Sequence, residues 1–239
     1  MIVAIDAGNS RIKWGVHDGA SWLANGVLAT RDVARLHEVA DAWPADARIV
    51  ACNVAGAAVG ESIAAQLAVP QRRLAFLQAS EEACGVRSRY ERPAQLGADR
   101  WAALIGARAR HSGPCLVVSA GTATTVDLLD AHGDFRGGLI LPGFELMRAT
   151  LAEKTAQLPL AEGVFRDEPR NTMDAIVSGC RQAQLGAIER TFAALAGEPQ
   201  ALCLLTGGGS AALAAHLKIP FELADNLVLG GLLRFAATL

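Results

Sequence analysis

Short apolar runs that stop at a glycine recur near the start of the chain. The runs MIVAID and IKWGVHDG are separated by a few small and polar residues, and the second closes on Asp18-Gly19. An Asp-Gly pair between apolar runs is typical of a hairpin turn. A third run, WLANGVLAT, follows. The pattern predicts three successive strands with a glycine turn after the first.

The same arrangement returns in the middle of the chain, in CLVVSAGTATTVDLLDAHGDFRGGLILPG, residues 115–143. Its three runs are separated by a small-residue turn at 120–122 and by a turn near His132-Gly133. At an offset of 113 residues, four positions of the first turn match the second: Asp6 with Ser119, Ala7 with Ala120, Gly8 with Gly121, and Asn9 with Thr122. We interpret this as a duplicated fold with halves 1–113 and 114–239.

Apolar residues recur at spacings of three and four in other stretches, which favours helices. The predicted helices cover residues 32–42, 60–67, about 98–111, a region after Gly143, and 174–195. A third glycine-rich turn, LLTGGGSAAL, joins an apolar run to a helix expected from Ser210. Strands that alternate with helices indicate an α/β protein.

Composition narrows the classes of partner. The 239 residues carry 22 basic and 24 acidic side chains, a net charge of −2, so we expect neither nucleic acid nor a membrane surface as a partner. Met1 leads directly into an apolar run without the basic start of a signal peptide, and a cytoplasmic protein is expected. The cysteines form no CxxC pair, which favours buried reduced thiols over a metal or disulfide framework. They are Cys52, Cys84, Cys115, Cys180 and Cys203.

The first turn, in DAGNSRIK, has the composition of a phosphate site. A glycine after a strand lets the backbone approach a ligand and expose N–H groups to an anion. Asn9 and Ser10 add neutral donors, Lys13 a cation, and Asp6 a carboxylate that could hold hydrated Mg²⁺. The alternative is a plain tight turn. The turn at 207–209 is equally open between a nucleotide role and a strand-to-helix connection.

Several other classes of nucleotide-binding protein are excluded because their motifs are missing. The chain contains no GxxxxGK[ST], no GxGxxG opening a βαβ unit, and no protein-kinase signature. The five histidines show no ligand spacing. Asp127 and Asp130 are interpreted as strand-end and turn residues instead of a catalytic dyad.

The remaining chemical cluster is YERPAQLGADRWAALIGARAR. Gly97 ends the preceding segment, and Asp99 falls in the first turn of a helix, where the helix dipole stabilises its negative charge. That placement alone could explain the carboxylate. A functional alternative is that Asp99 takes a proton from a substrate hydroxyl while Arg100 binds an anionic group. The apolar residues of this helix are expected in the core: Trp101, Leu104 and Ile105.

Five segments together closely resemble the type III pantothenate kinases of the actin and sugar-kinase superfamily: DAGNSRIKWG, GADRWAALIGARA, SAGTATTVD, GGLILPG and LTGGG. The resemblance implies two duplicated ribonuclease-H-like (actin-like ATPase) halves with ATP in the cleft between them. It also implies a homodimer that phosphorylates pantothenate, the first step of coenzyme A biosynthesis. Two alternatives are a kinase of the same superfamily acting on another small hydroxyl compound and a non-catalytic ATP-binding regulator.

The resemblance also implies residue roles. The residues implied for ATP binding are Asp6, Ala7, Gly8, Asn9, Ser10, Arg11, Ile12, Lys13 and Thr122. Those implied for pantothenate binding are Tyr90, Gly97, Ala98, Asp99, Arg100 and Thr172, with Asp99 as the proton acceptor and Thr172 near the dimer interface. ATP is expected with Mg²⁺, held in part by Asp6. The resemblance further implies a K⁺ or NH4⁺ site built on an aspartate three residues before the threonine of the second loop. This chain has Ser119 there, so we expect a weaker monovalent-cation site and less dependence on potassium or ammonium.

Overall fold

The computed structural model describes residues 1–68, 73–160 and 162–239, and the chain packs as two units. The first unit comprises Met1–Ser112, Gly133–Phe135 and Asn226–Leu239, and the second comprises Gly113–His132 and Arg136–Asp225. Each unit is described by itself below. The division of the duplicated halves at residues 113 and 114 stays a prediction.

The first unit is organised around a sheet whose first three strands are antiparallel neighbours. Its strands are β1 (Ile2–Ala7), β2 (Arg11–His17), β3 (Trp22–Ala29), β4 (Arg48–Asn53) and β5 (Arg73–Phe76). In the described residues the strand order is β3-β2-β1-β4-β5, with β4 parallel to β1 and β5 parallel to β4. The predicted three-strand start of the chain is confirmed.

Helices and two short strands complete most of the first unit. They are α1 (Leu36–Ala40), α2 (Ala57–Gln66), β6 (Glu82–Ala83), β7 (Val86–Ser88) and α3 (Ala98–Arg110), with 3-10 turns at Thr30–Arg35 and Pro93–Gln95. The helix predicted over 32–42 is wrong in extent, because Asp32 leaves the helical region at φ −99° and ψ 20°. Only one turn of α-helix, α1, forms there. The helix predictions for 60–67 and 98–111 are confirmed by α2 and α3 to within one residue at their C-terminal ends.

The second unit repeats the sheet of the first. Its elements are β8 (Cys115–Ala120), β9 (Ala123–Leu129), β10 (Asp134–Pro142), α4 (Phe144–Lys154), α5 (Thr172–Phe192), β11 (Leu202–Thr206), α6 (Ser210–Ala214) and β12 (Phe221–Leu223). The first two residues of β10 belong to the first unit. From β10 through β9, β8 and β11 to β12, the order matches β3-β2-β1-β4-β5, and β8 has the same antiparallel and parallel neighbours as β1. This repetition confirms the duplicated α/β fold.

A last helix, α7 (Leu227–Ala236), returns to the first unit and packs on α3. The contact is backbone to backbone. A Cβ on Gly106 would collide with the carbonyl group of Leu227, and a Cβ on Gly231 would collide with the carbonyl of Ala102. This helix was not predicted from the sequence, because a central Gly-Gly pair disfavours a helix in isolation.

Each unit has its own apolar core. In the first unit, the inward residues of β1, β2 and β4 pack with Leu36, Ile63 and Trp43. In the second, residues of β8, β9 and β11 pack against α5. Trp101, Leu104 and Ile105 are fully buried, as predicted. All five cysteines are free; four are buried and Cys84 is half-buried. In the described part of the chain, no helix is both long and apolar enough to cross a membrane.

Candidate active site

The first glycine turn connects β1 to β2 and is held from behind by Thr30. The Gly8 N–H donates to the carbonyl of Arg11 at 3.0 Å, which closes the turn. The Thr30 hydroxyl donates to the carbonyl of Gly8 at 2.6 Å, and the Thr30 N–H donates to the carbonyl of Ser10 at 3.2 Å. Asn9, Ser10 and Arg11 are exposed. The turn therefore has the carbonyls of Gly8 and Ser10 held by Thr30, and it has a polar rim open to solvent.

Asp6 lies at the base of this turn, near the end of β1. In the β1–β2 register it stands opposite Lys13, whose side chain is exposed. The pKa of Asp6 is raised from 3.8 to about 6, first by burial and then by the negative charge of Asp99, while Lys13 and a hydrogen bond from Cys52 act in the opposite direction. Asp6 and Asp99 are thus close enough to repel, and this pair of carboxylates is suited to a nearby cation.

The donor set of this pair fits a divalent cation. Among the residues that the structure describes, no group of three or more His, Cys, Asp or Glu side chains could hold a metal ion. Mg²⁺ in nucleotide-dependent enzymes is usually held by one or two carboxylates together with phosphate oxygens and water. The half-buried carboxylate of Asp6, raised in pKa and close to Asp99, matches that description.

Asp99 is positioned by the start of α3. The carbonyl of Gly97 accepts the N–H of Trp101 at 3.0 Å, and Oδ1 of Asp99 accepts the N–H of Arg100 at 2.8 Å. A Cβ at Gly97 would lie 2.7 Å from Oδ1 of Asp99, so a larger residue there would displace the carboxylate. The helix start fixes one oxygen of Asp99 and thereby orients the other.

Arg100 is almost completely buried, with 6% of its surface exposed. Its Nη1 donates to the hydroxyl of Tyr90 at 3.2 Å, and its guanidinium carbon lies 5.8 Å from the ring centroids of both Tyr90 and Phe135. The two rings are 5.1 Å apart. Contacts of this kind attract a guanidinium to an aromatic face. Arg100 is thus a fixed cation next to Asp99 in sequence.

In the second unit, the turn between β8 and β9 has its carbonyls bonded to glycines of two other motifs. Gly143 donates its N–H to the carbonyl of Thr122 at 2.9 Å, and Gly209 donates to the carbonyl of Ala120 at 3.0 Å. Gly207 has φ +94°, and a Cβ there would lie 2.5 Å from the Ala120 carbonyl oxygen. The segments SAGTATT, GGLILPG and LTGGG therefore meet at one place. Thr122 lies exposed in that turn.

Ser119, at the carboxyl end of β8, is half-buried in a row of hydroxyl residues. The register pairs it with Thr125 on β9 and Thr206 on β11. Asp127 pairs with Val117 in the interior of β9 and is 1% exposed, so its interpretation as a strand-end residue is wrong. Asp130 accepts the N–H of His132 at 2.9 Å and is a turn residue, as predicted.

Thr172 is the exposed first residue of α5 in the second unit. Asn171 precedes it and caps the helix, because its side chain accepts the N–H of Asp174 at 2.9 Å. The predicted site residues therefore fall into separate places: a group of the first unit around Asp6 and Asp99, the turn that contains Thr122, and the start of α5.

Two contacts of the first-unit group were missed from the sequence. Cys52 donates its thiol to Asp6, and Phe135 forms one face of the site of Arg100. Both depend on pairing between distant segments, which short motifs do not show.

Comparison with known proteins agrees with the motifs. A family model described as type III pantothenate kinase matches residues 2–194. A type III pantothenate kinase of Aromatoleum aromaticum is 59% identical over 232 residues, covering 97% of this chain and 96% of that protein. One from Azoarcus sp. is 51% identical over 239 residues, covering 99% and 91%.

Solved structures share the fold over the whole chain. A candidate Baf family transcriptional activator from Campylobacter jejuni aligns with a TM-score of 0.67 at 20% identity, covering 99% of this chain and 98% of that one. A candidate 2-dehydro-3-deoxygalactonokinase from Sinorhizobium meliloti aligns at 0.64 and 18% identity, covering 100% and 99%. MreB5 of Spiroplasma citri, solved with ADP, aligns at 0.52 and 9% identity, covering 99% and 96%. These likenesses concern the actin-like and sugar-kinase fold.

Proposed function

The chain belongs to the type III pantothenate kinase family, and we propose that the group around Asp6 and Asp99 carries out its reaction. The protein is a kinase that phosphorylates pantothenate with ATP, the first step of coenzyme A biosynthesis. One observation supports the assignment of residues more than any other. The turn of the first motif and the helix start of the second bring two carboxylates within electrostatic reach, with a fixed arginine beside them.

Asp99 is the general base in this proposal. Oδ1 is engaged by the helix N–H of Arg100, so the other carboxylate oxygen remains to orient and deprotonate the primary hydroxyl of pantothenate. Phosphoryl transfer depends mainly on positioning and on stabilising charge, and general-base assistance contributes a further part. The adjoining residues Gly97 and Ala98 shape the pocket at the helix start.

Arg100 and Tyr90 bind pantothenate at its anionic end. Arg100 is held by the Tyr90 hydroxyl and by two aromatic rings, so it loses little conformational freedom when it pairs with a carboxylate. Pantothenate carries one carboxylate. The fixed spacing between Arg100 and Asp99 therefore selects an acid whose hydroxyl and carboxylate are separated by a matching distance.

The first turn binds the phosphates of ATP. Asn9, Ser10 and Arg11 form its exposed rim, and Lys13 adds a cation on the neighbouring strand. A kinase requires ATP and a divalent metal ion. We assign Mg²⁺ to Asp6, and when bound it neutralises phosphate charge and orients the phosphate chain. Thr122 of the second unit is a further ATP contact by family pattern.

The homodimer is also part of the proposal, supported by apolar surface on the second unit. On helix α4, Leu146 is 45% exposed, whereas Phe144, Met147 and Leu151 are partly buried against α5. On β10, which precedes α4, Ile140 is 66% exposed. Exposed apolar surface of this kind is typical of protein interfaces. Thr172 would complete a substrate site at that interface.

A cytoplasmic location completes the proposal. All five cysteines are free, as expected where thiols are kept reduced.

A coupled assay of ADP release tests the assignment, with ATP, Mg²⁺ and a panel of small hydroxyl acids that includes pantothenate. We expect Asp99→Asn to lower kcat by about 10²- to 10⁴-fold, the usual contribution of a general base, with the KM for ATP nearly unchanged. Asp130→Asn is the matched control and should behave as wild type. A kcat of Asp99→Asn near that of wild type would refute the base. A higher kcat/KM for another hydroxyl acid would refute the fit of Arg100 to pantothenate.

The oligomeric state has its own test. Sedimentation of the protein at assay concentration should give a dimer. An active monomer under those conditions would refute the proposed interface.

A further inference from the structure

Cys52 lies directly beside Asp6 in the sheet of the first unit. Strands β1 and β4 run parallel, and their register places Asp6 opposite Cys52. The Sγ atom of Cys52 lies 3.5 Å from Oδ1 of Asp6, and the thiol is the donor. Cys52 is fully buried. The carboxylate is therefore contacted from inside the protein by a proton donor that solvent does not reach.

The Cys52 thiol acts as a hydrogen-bond donor at this position. Sγ of Cys52 lies 3.5 Å from Oδ1 of Asp6, and an ionised carboxylate can only accept, so the S–H of Cys52 is the donor of this hydrogen bond. A carboxylate rotates easily about its last torsion unless something holds one oxygen.

We propose that Cys52 is a positioning residue of the reaction: its thiol holds Oδ1 of Asp6 and leaves Oδ2 for the cation that accompanies ATP. The inference rests on the assignment of Asp6 proposed above. Partners that orient a metal-binding carboxylate in this way typically affect metal affinity without touching the substrate. The role requires a donor at position 52, and serine is the conservative substitute.

Kinetics with a series of variants test the role. Cys52→Val keeps the apolar bulk and the strand preference but removes the donor, whereas Cys52→Ser keeps a donor. We expect Cys52→Val to raise the Mg²⁺ concentration for half-maximal rate by about three- to tenfold, with the KM for pantothenate unchanged. Cys52→Ser should stay within about twofold of wild type. Cys203→Ala, which changes a buried thiol in the second unit, is the control for loss of a core cysteine.

Infrared spectroscopy tests the hydrogen bond in protein free of metal and nucleotide. The S–H stretching band of Cys52 is identified by its absence in Cys52→Ser. In Asp6→Asn the acceptor is neutral, so the hydrogen bond should weaken and this band should move to higher frequency. The measurement does not depend on activity. Because it compares the S–H band of wild type with that of Asp6→Asn, it can be made even if Cys52→Val does not fold.

The outcomes distinguish a failure of the positioning role of Cys52 from a failure of the assignment of Asp6. A shifted band with weaker Mg²⁺ dependence in Cys52→Val and rescue by serine would support the role. If Cys52→Val keeps the Mg²⁺ dependence of wild type while Asp6→Asn is inactive, the positioning role is wrong and the assignment of Asp6 stands. If Asp6→Asn is fully active, both are wrong. A band unchanged by Asp6→Asn would also overturn the role, because the thiol would not be bonded to Asp6.

Discussion

Replacing Asp6 by asparagine should make the metal-free protein more stable at neutral pH, although it removes the carboxylate that we propose holds Mg²⁺. The pKa of Asp6 rises from 3.8 to about 6 on folding, with burial as the main cause and the charge of Asp99 second. Each pKa unit corresponds to about 1.4 kcal/mol. The ionised carboxylate therefore costs up to about 3 kcal/mol of folding free energy when the pH is well above 6.

The sign of the pH dependence follows from which state holds the proton. Below the unfolded pKa of 3.8, Asp6 is protonated in both states and contributes nothing. As the pH rises from about 4 to about 6, the unfolded chain releases its proton first, so the free energy of unfolding falls. Above about 6 the loss is complete and constant. Asparagine stays neutral throughout and does not suffer this loss.

Denaturant unfolding in EDTA buffers between pH 4 and pH 8 measures the effect. The stability gain of Asp6→Asn over wild type should be near zero at pH 4 and should grow to as much as about 3 kcal/mol at pH 8. Asp18→Asn is a control of opposite sign. The N–H groups of Ser21 and Ala20 lower the pKa of Asp18, so its loss should destabilise at neutral pH and have no effect at low pH. A gain for Asp6→Asn that is absent at pH 8, or equal at all pH values, would refute the reasoning.

Three other predictions concern packing, substrate binding and the monovalent cation. Gly231→Ala forces a Cβ into the carbonyl of Ala102 and should lower the free energy of unfolding by more than about 2 kcal/mol. Gly230→Ala has open space around its Cβ and should raise the free energy of unfolding by about 0.5–1 kcal/mol. Thermal melts measure both changes. Tyr90→Phe removes the hydroxyl that holds Arg100 and should raise the KM for pantothenate about two- to tenfold with the KM for ATP unchanged; equal changes in both would contradict its role. Ser119→Asp should increase activation by potassium relative to tetramethylammonium at equal ionic strength, and no increase would place the ion elsewhere.

The strand patterns could be predicted because they are local. Apolar runs, a glycine turn and an Asp-Gly hairpin signal lie within a few residues of one another at the start of the chain, and the pattern recurs from Cys115. The helix α7 could not, because its Gly-Gly pair argues against a helix in isolation. Its glycine at 231 is explained only by the approach of α3, which lies more than a hundred residues earlier.

The site shows the same division between local and distant information. Gly97, Asp99 and Arg100 lie within four consecutive residues, and a predicted helix start was sufficient to relate them. Cys52 reaches Asp6 only through the register of two parallel strands, 46 residues apart in sequence. No spacing in the sequence indicates that pairing, and cysteine in a buried strand is ordinarily a small apolar residue.

The two glycine turns differ in length and hold their carbonyls through different contacts. In each, the N–H of the first glycine closes the turn, from Gly8 to the carbonyl of Arg11 and from Gly121 to that of Ala123. The other carbonyls are engaged by Thr30 in the first unit, and by the N–H groups of two glycines from separate motifs in the second. A carbonyl bonded to the protein cannot turn toward an approaching phosphate and repel it. What the two turns have in common is therefore a pair of carbonyls held by protein donors, and the donors differ because each unit supplies its own.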